Sequence, residues 1–170
     1  MGQGYHNLVQ LVTLAHFEGF YYRPRVDKDL LRELSSGLIA LSACLHGEVA
    51  RYILNDDAAG AEAAAQEYAD IFPGRFYLEV QANNLPEQNK VNDAFLDLGP
   101  RWGLPVVATN DVHYLKPGDA RAHDVLLCIQ TGKTINTKGR MQFHTDQLYY
   151  KSPQEMAQAI PYPAVLAASR

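Results

Sequence analysis

The chain has 170 residues, enough for one domain with a real core and too few for a large multidomain enzyme. Its hydrophobic (47%) and charged (20%) fractions are those of an ordinary soluble domain, and a net charge of -4 excludes an overall basic footprint that holds nucleic acid by charge alone. Two cysteines exclude a disulfide framework, and no apolar run nears the roughly 20 residues of a membrane span.

The start, Met1-Gly2-Gln3-Gly4, lacks the regions of a signal peptide. A cytoplasmic location is expected, for a whole protein or a piece of one. Apolar residues at Leu8, Leu11, Val12, Ala15 and Phe20 predict an amphipathic helix from Tyr5 toward Gly19. The aromatic-basic segment after it offers Arg23 and Arg25 as contacts for phosphate or a DNA strand; the plainer reading has them tie the loop to carboxylates elsewhere. Asp27 is a good N-cap for a short helix over Lys28 to Leu34.

Gly37 to Cys44 reads as a first buried strand, and Leu45 to Glu48 as a turn into a helix over Val49 to Leu54. The alanine-rich stretch from Ala58 to Phe72 predicts a helix stopped by Pro73-Gly74. A second strand comes next, over Arg75 to Gln81, with Tyr77 and Glu79 on one face. Pro86 opens a helix to Trp102, with an interruption expected near Gly99-Pro100. A third strand, Val106 to Thr109, is apolar without a break and runs into a polar turn, Asn110-Asp111-Val112-His113-Tyr114. Pro117-Gly118-Asp119 opens a helix whose apolar stripe is Ala122, Val125, Leu126 and Ile129. Gln147 to Lys151 is a short strand candidate, and Pro153 begins a final helix.

Strands alternating with helices at these lengths predict an α/β fold with a parallel sheet. All three strands end in polar or ligating groups: Cys44, Glu79 with Gln81, and Asp111 with His113. A thiolate, a carboxylate and an imidazole make a partial set for zinc, manganese or iron, with positions left open as hydrolytic metal sites require. The bland reading is that Cys44 is a packed thiol, Asp111 caps a turn and His113 faces water. Glu79 and His123 are secondary candidates, the latter because its helix comes just after the Asp-x-His turn. Cys128 lies on an apolar helix face and is expected in the core. Gly132-Lys133-Thr134 imitates a phosphate loop, but position 127 is Leu where that loop needs glycine, and the preceding residues look helical.

Several motifs in order then resemble one family. They are Gly4-Tyr5-His6-Asn7-Leu8, Glu18-Gly19-Phe20-Tyr21-Tyr22, the whole run Gly37 to Glu48, Thr109 to Tyr114, and His123 to Lys133. Together they resemble the later part of the PHP (polymerase and histidinol phosphatase) domain of bacterial DNA polymerase III alpha subunits, over residues 4 to 156. The resemblance implies part of a distorted (β/α)7 barrel, its parallel strands wrapped by helices, with a metal cluster at the strands' carboxyl ends. Matched by position, the family's Cys ligand falls on Cys44 and its Asp-x-His pair on Asp111 and His113.

The family's other ligands, including a His-x-His motif, would precede residue 1. The chain is therefore expected to be a fragment, with Met1 a truncated start or an added residue. Residues 1–156 are expected to be a partial PHP domain and residues 157–170 the start of the following segment. What the resemblance implies in function is DNA replication by a nucleotidyltransferase, with 3′–5′ exonuclease or phosphoesterase chemistry linked to the PHP site. The implied cofactors are zinc, manganese or iron at that site and magnesium for the parent polymerase. The implied partners are DNA, deoxynucleotides, a sliding clamp and a proofreading subunit, and no membrane. With three ligands at most, the isolated piece is expected to bind metal weakly and to lack catalysis. Two other readings remain: a non-catalytic scaffold or docking domain within the polymerase, and a free-standing PHP-type phosphoesterase.

Overall fold

A computed structural model describes residues 2–169; the two ends, Met1 and Arg170, lie outside the described residues. The chain divides into two compact units. The first comprises Met1–Leu78 with Pro100–Pro105, the second Glu79–Gly99 with Val106–Arg170.

The first unit begins with α1 (Gln3–Phe17) and α2 (Lys28–Leu34). Asp27 caps α2 as its sequence position predicts, its carboxylate accepting from the Leu30 amide at 2.9 Å. A close approach fixes the start of α1: a Cβ on Gly4 would stand 2.0 Å from the Gly37 carbonyl oxygen, and Gly37 itself needs φ +74°. Only glycine fits both positions. Asn7 is buried there, and its amide donates to the Ser36 carbonyl at 2.8 Å.

Next come β1 (Ala40–Leu41), α3 (Glu48–Leu54) and α4 (Ala58–Ile71). The helices α3 and α4 bury Val49, Ala50, Ala61 and Ala65 almost completely. Small side chains at these positions let two short helices lie close, with dispersion contacts replacing bulk. One correction concerns the Gly37–Cys44 stretch. Only two of its residues form a strand, and Ile39 and Leu41 are exposed rather than buried. Positive φ at Gly37 and Ala43 ends the extended backbone on both sides, which an apolar run alone does not reveal.

The strand order is β1-β2-β3, with β2 spanning Phe76–Gln81 and β3 Val106–Thr109. β1 pairs parallel to β2, Ala40 opposite Phe76 and Leu41 opposite Tyr77. The α/β class with parallel pairing is thus as expected. β2 starts in the first unit, where Phe76 and Leu78 are buried, and ends in the second with Val80 and Gln81.

In the second unit the end of β2 is tied to α5 (Pro86–Trp102) by a side chain acting as a strand. The Asn92 amide donates to the Gln81 carbonyl at 2.7 Å and its oxygen accepts from the Gln81 amide at 3.2 Å. α5 runs unbroken through Pro100, against the expected interruption. The proline sits in the last turn, where its missing N–H costs the helix one bond, to the Leu96 carbonyl. Behind β3 lies α8 (Pro163–Ala167); the Ser169 hydroxyl just beyond it accepts from the Ala108 amide at 2.8 Å.

The remaining helices are α6 (Ala120–Thr131), entered through a 3-10 turn at Pro117–Asp119, and α7 (Pro153–Ala159). α7 is not the last, since α8 comes after it. Ser152 and Glu155 form a capping box at its start, each side chain bonding the other's backbone amide. On α6 the structure buries Leu127 and Cys128 and leaves Val125, Leu126 and Ile129 exposed. The run Leu126-Leu127-Cys128-Ile129 is apolar all round, so spacing could not choose its inner face. Gln147–Lys151 is no strand; it contributes a single bridge, Tyr149 to Tyr114. No described helix is long and apolar enough to cross a membrane.

Candidate metal centre

β3 delivers its chain into the Asn110–Tyr114 turn, and the Gln147–Lys151 segment holds that turn in place. The His113 amide donates to the Leu148 carbonyl at 2.8 Å, and the Tyr150 amide donates to the Tyr114 carbonyl at 2.9 Å. The Asn110 amide donates to the Tyr149 carbonyl at 3.0 Å. Lys151, only 6% exposed, sends its ammonium to the Asn110 side-chain oxygen at 3.4 Å and to the Gln147 carbonyl, over the Tyr149 ring. Burial pulls this ammonium below the ordinary lysine value, with Glu155 and Asp146 opposing that pull from a distance. Sequence reasoning missed Lys151, because a lysine in a polar stretch carries no sign that it will be covered.

Within the turn Asp111 adopts φ +52°, a left-handed conformation that a non-glycine residue enters only when its surroundings hold it. This twist aims the Asp111 carbonyl oxygen at its neighbour's ring. His113 Nδ1 lies 2.9 Å from that oxygen and 3.9 Å from the Asp111 carboxylate. A carbonyl oxygen can only accept, so in the neutral ring Nδ1 carries the hydrogen and Nε2 keeps a lone pair. A metal-ligating imidazole almost always donates its other N–H to such a partner, which fixes the tautomer and the ring orientation. Asp111 and His113 are each partly exposed. His123 joins them, its ring 5.4 Å from that of His113.

Cys44 sits in the first unit, at the turn directly after β1. Ala43 before it has φ +63°, and the Gly47 amide donates to the Cys44 carbonyl at 2.8 Å. A Cβ on Gly47 would stand 2.1 Å from the Ser42 oxygen, so the turn closes this tightly only around glycine. The thiol is free of disulfide and half-buried, whereas Cys128 is buried. Two of the three candidate ligands are therefore adjacent in one unit, and the third occupies a similarly strained turn in the other. Among the described residues no three His, Cys, Asp or Glu side chains gather as a ready metal cluster.

The secondary candidates separate. Glu79 accepts from the Thr109 hydroxyl and, at 3.2 Å, from the Gln81 amide, which joins the ends of β2 and β3. The Arg25 guanidinium lies 5.2 Å from the centre of the Tyr21 ring, and Arg23 bridges Tyr21 through the backbone. Among the described ion pairs neither arginine is joined to a carboxylate.

The chain's first 83 residues match the family model described as PHP domain. Over 158 residues the chain is 48% identical to DNA polymerase III subunit alpha of Thermus aquaticus, covering 93% of this chain and 13% of that protein. It is 44% identical to the same subunit of Helicobacter pylori strain J99, and 42% identical to that of Treponema pallidum, with 14% of each covered. The chain thus resembles the PHP region of bacterial DNA polymerase III alpha subunits, as its motifs led one to expect, and spans about one seventh of their length.

Proposed function

We propose that this chain is a segment of a bacterial DNA polymerase III alpha subunit and supplies Cys44, Asp111 and His113 to a PHP metal site. The observation that carries the reading is the His113 ring, held through Nδ1 on the Asp111 carbonyl, which leaves the lone pair on Nε2. The resemblance to replicative polymerase subunits supports the assignment of the parent activity, DNA-directed DNA synthesis by a nucleotidyltransferase. In this reading residues 1–156 form the PHP portion, part of a (β/α)7 barrel, and residues 157–170 begin the next segment of the subunit. DNA, deoxynucleotides and the other replicase subunits are the partners, and the compartment is the cytoplasm.

The donor set, one thiolate, one carboxylate and one imidazole, fits zinc, manganese or iron, while magnesium serves the polymerase centre elsewhere in the parent. Held by these residues, a metal would supply the chemistry of 3′–5′ exonucleases and phosphoesterases, a lower pKa for a bound water and charge to offset phosphate oxygens. What the chain itself does is narrower. The Asp111 carbonyl fixes the tautomer of His113, and Lys151 and Leu148 fix the turn that bears both residues.

Equilibrium dialysis against manganese or zinc tests the reading, with Cys44→Ser, Asp111→Asn and His113→Gln compared with the unaltered chain. Each substitution should weaken binding while the folded fraction stays constant. The scaffold reading predicts the reverse, lost folding at unchanged metal content. In a full-length alpha subunit carrying this segment, the same substitutions should remove nuclease activity on 3′-labelled DNA and spare primer extension.

A further inference from the structure

Cys44 stands on a turn that packing does little to hold. Between Ser42 and Val49 no residue is buried. A pocket of about 230 Å3 lies against the turn, with Ser42, Ala43, Gly47, Glu48, Tyr68 and Phe76 among its lining residues, all in the first unit. Empty space on one side deprives a segment of the dispersion contacts that fix a core residue. Hydrogen bonds are left to set its position. Two belong to the backbone: the Ser42 amide donates to the Tyr77 carbonyl at 2.9 Å, and the Gly47 amide to the Cys44 carbonyl at 2.8 Å.

Further bonds come through Glu48, the first residue of α3. Both of its carboxylate oxygens are engaged, one by the Lys28 ammonium at 2.9 Å and the other by the Tyr68 hydroxyl at 2.8 Å. Lys28 belongs to α2 and Tyr68 to α4, so two different helices hold the one carboxylate. The donors are themselves placed. The Lys28 ammonium lies 4.9 Å from the centre of the Tyr68 ring, and that ring stacks on Phe76 of β2 at 5.4 Å. Bonds to an ionised acceptor are the stronger kind, so the start of α3 is fixed where the Cys44 turn ends. Lys28 also bonds Glu67 at 2.6 Å, and Arg32 bonds the same carboxylate at 2.8 Å. This arm of the network does not touch Glu48, which separates a tie among helices from a hold on the turn.

We propose that Lys28 and Tyr68, acting through Glu48, position the turn that carries Cys44. They are positioning residues and not ligands. Their bearing on a metal rests on the reading of Cys44 as a ligand, since a donor already fixed binds an ion at less entropic cost.

Amide hydrogen exchange and iodoacetamide alkylation of the 170-residue protein, both with a chelator present, test the proposal without any metal. Tyr68→Phe keeps the stacked ring and removes one bond to Glu48; Lys28→Met removes the other. In each, the Gly47 amide should exchange about tenfold faster, the effect of losing one bond to a charged acceptor. The half-buried Cys44 thiol should be alkylated faster as its turn opens, while the buried Cys128 thiol keeps its rate. The Leu78 amide, bonded to the Pro105 carbonyl, should also exchange as before. Lys28→Arg should restore most of the protection at Gly47. Glu67→Gln should leave Gly47 and Cys44 as in the unaltered protein. The proposal is overturned if Tyr68→Phe and Lys28→Met leave Gly47 and Cys44 unchanged, or if Glu67→Gln loosens the turn as much as they do. Leu78 exchange rising in step with that of Gly47 would overturn it too, because the network then only ties helices together. Should Lys28→Met misfold, Tyr68→Phe decides alone. Failure here leaves metal binding by Cys44, Asp111 and His113 standing, and absence of metal binding leaves these rates intact.

Discussion

His113 Nδ1 stands 2.9 Å from the backbone oxygen of Asp111, an ångström closer than it stands to that residue's carboxylate. The backbone, rather than the side chain, therefore decides which nitrogen is available. In nitrogen-15 NMR of the neutral ring, His113 should populate the tautomer protonated at Nδ1, and zinc should perturb Nε2. A ring protonated mainly at Nε2 would contradict this arrangement.

Lys151 acts on the same turn at one remove, through Asn110, the neighbour of Asp111. Replacing it with methionine keeps the aliphatic stem and deletes the donor. Metal affinity should fall about 10- to 100-fold, the usual effect of losing an outer partner of a ligand, with the three proposed ligands themselves untouched. Lys151→Arg should restore part of the loss. Affinity unchanged in Lys151→Met would assign the lysine to packing alone.

In the first unit Lys28 bonds Glu48 at 2.9 Å and Glu67 at 2.6 Å, while the Tyr68 hydroxyl donates to Glu48 at 2.8 Å. Burial pulls the Lys28 ammonium down, but the bonds to Glu67 and Glu48 outweigh it and push it up to about 12. Burial, then the bond to Glu48, pushes Tyr68 up to about 12 as well. Both groups hold their protons more tightly folded than unfolded. Their contribution is thus complete below about pH 10 and lost as pH climbs through about 12. Melting temperature measured from about pH 9 to 12 should fall, and fall less steeply in Tyr68→Phe, which cannot ionise there. On the acid side the bond from Lys28 holds Glu67 below its usual value of 4.5. Its share is present above that value and disappears as the carboxylate protonates.

The Gly4–Gly37 approach gives a mutation with a steric sign. An alanine at position 4 places a carbon 2.0 Å from a backbone oxygen, which cannot swing aside as a flexible side chain would. Gly4→Ala should destabilise by about 1–3 kcal/mol, the range for forced overpacking. Gly118→Ala, with no atom within 4 Å of the added carbon, should be close to neutral. Chemical denaturation of both variants measures the contrast.

Some of the site was legible before any fold was known. The Asp-x-His spacing after an unbroken apolar strand located the turn, and the Asp27 cap, the alanine helix and the parallel class all came from local chemistry. Other features were not legible for a definite reason. Whether Leu126 or Leu127 faces inward depends on what lies against α6, and a run apolar on every side carries no phase. Whether Gly37–Cys44 continues as a strand depends on φ at Ala43, a value imposed by the tight Ser42–Gly47 closure and not by alanine itself.

The order of residues thus determined where donors stand along the polypeptide and which stretches coil or extend, because those depend on neighbours within a few positions. Tertiary structure alone decided that a covered Lys151 steadies Asn110, that the Asp111 carbonyl selects one His113 nitrogen, and that Arg140 pairs with Asp124. Each of these depends on groups brought together across turns or long stretches of chain, and a burial or a hydrogen bond comes into being only when the partner arrives.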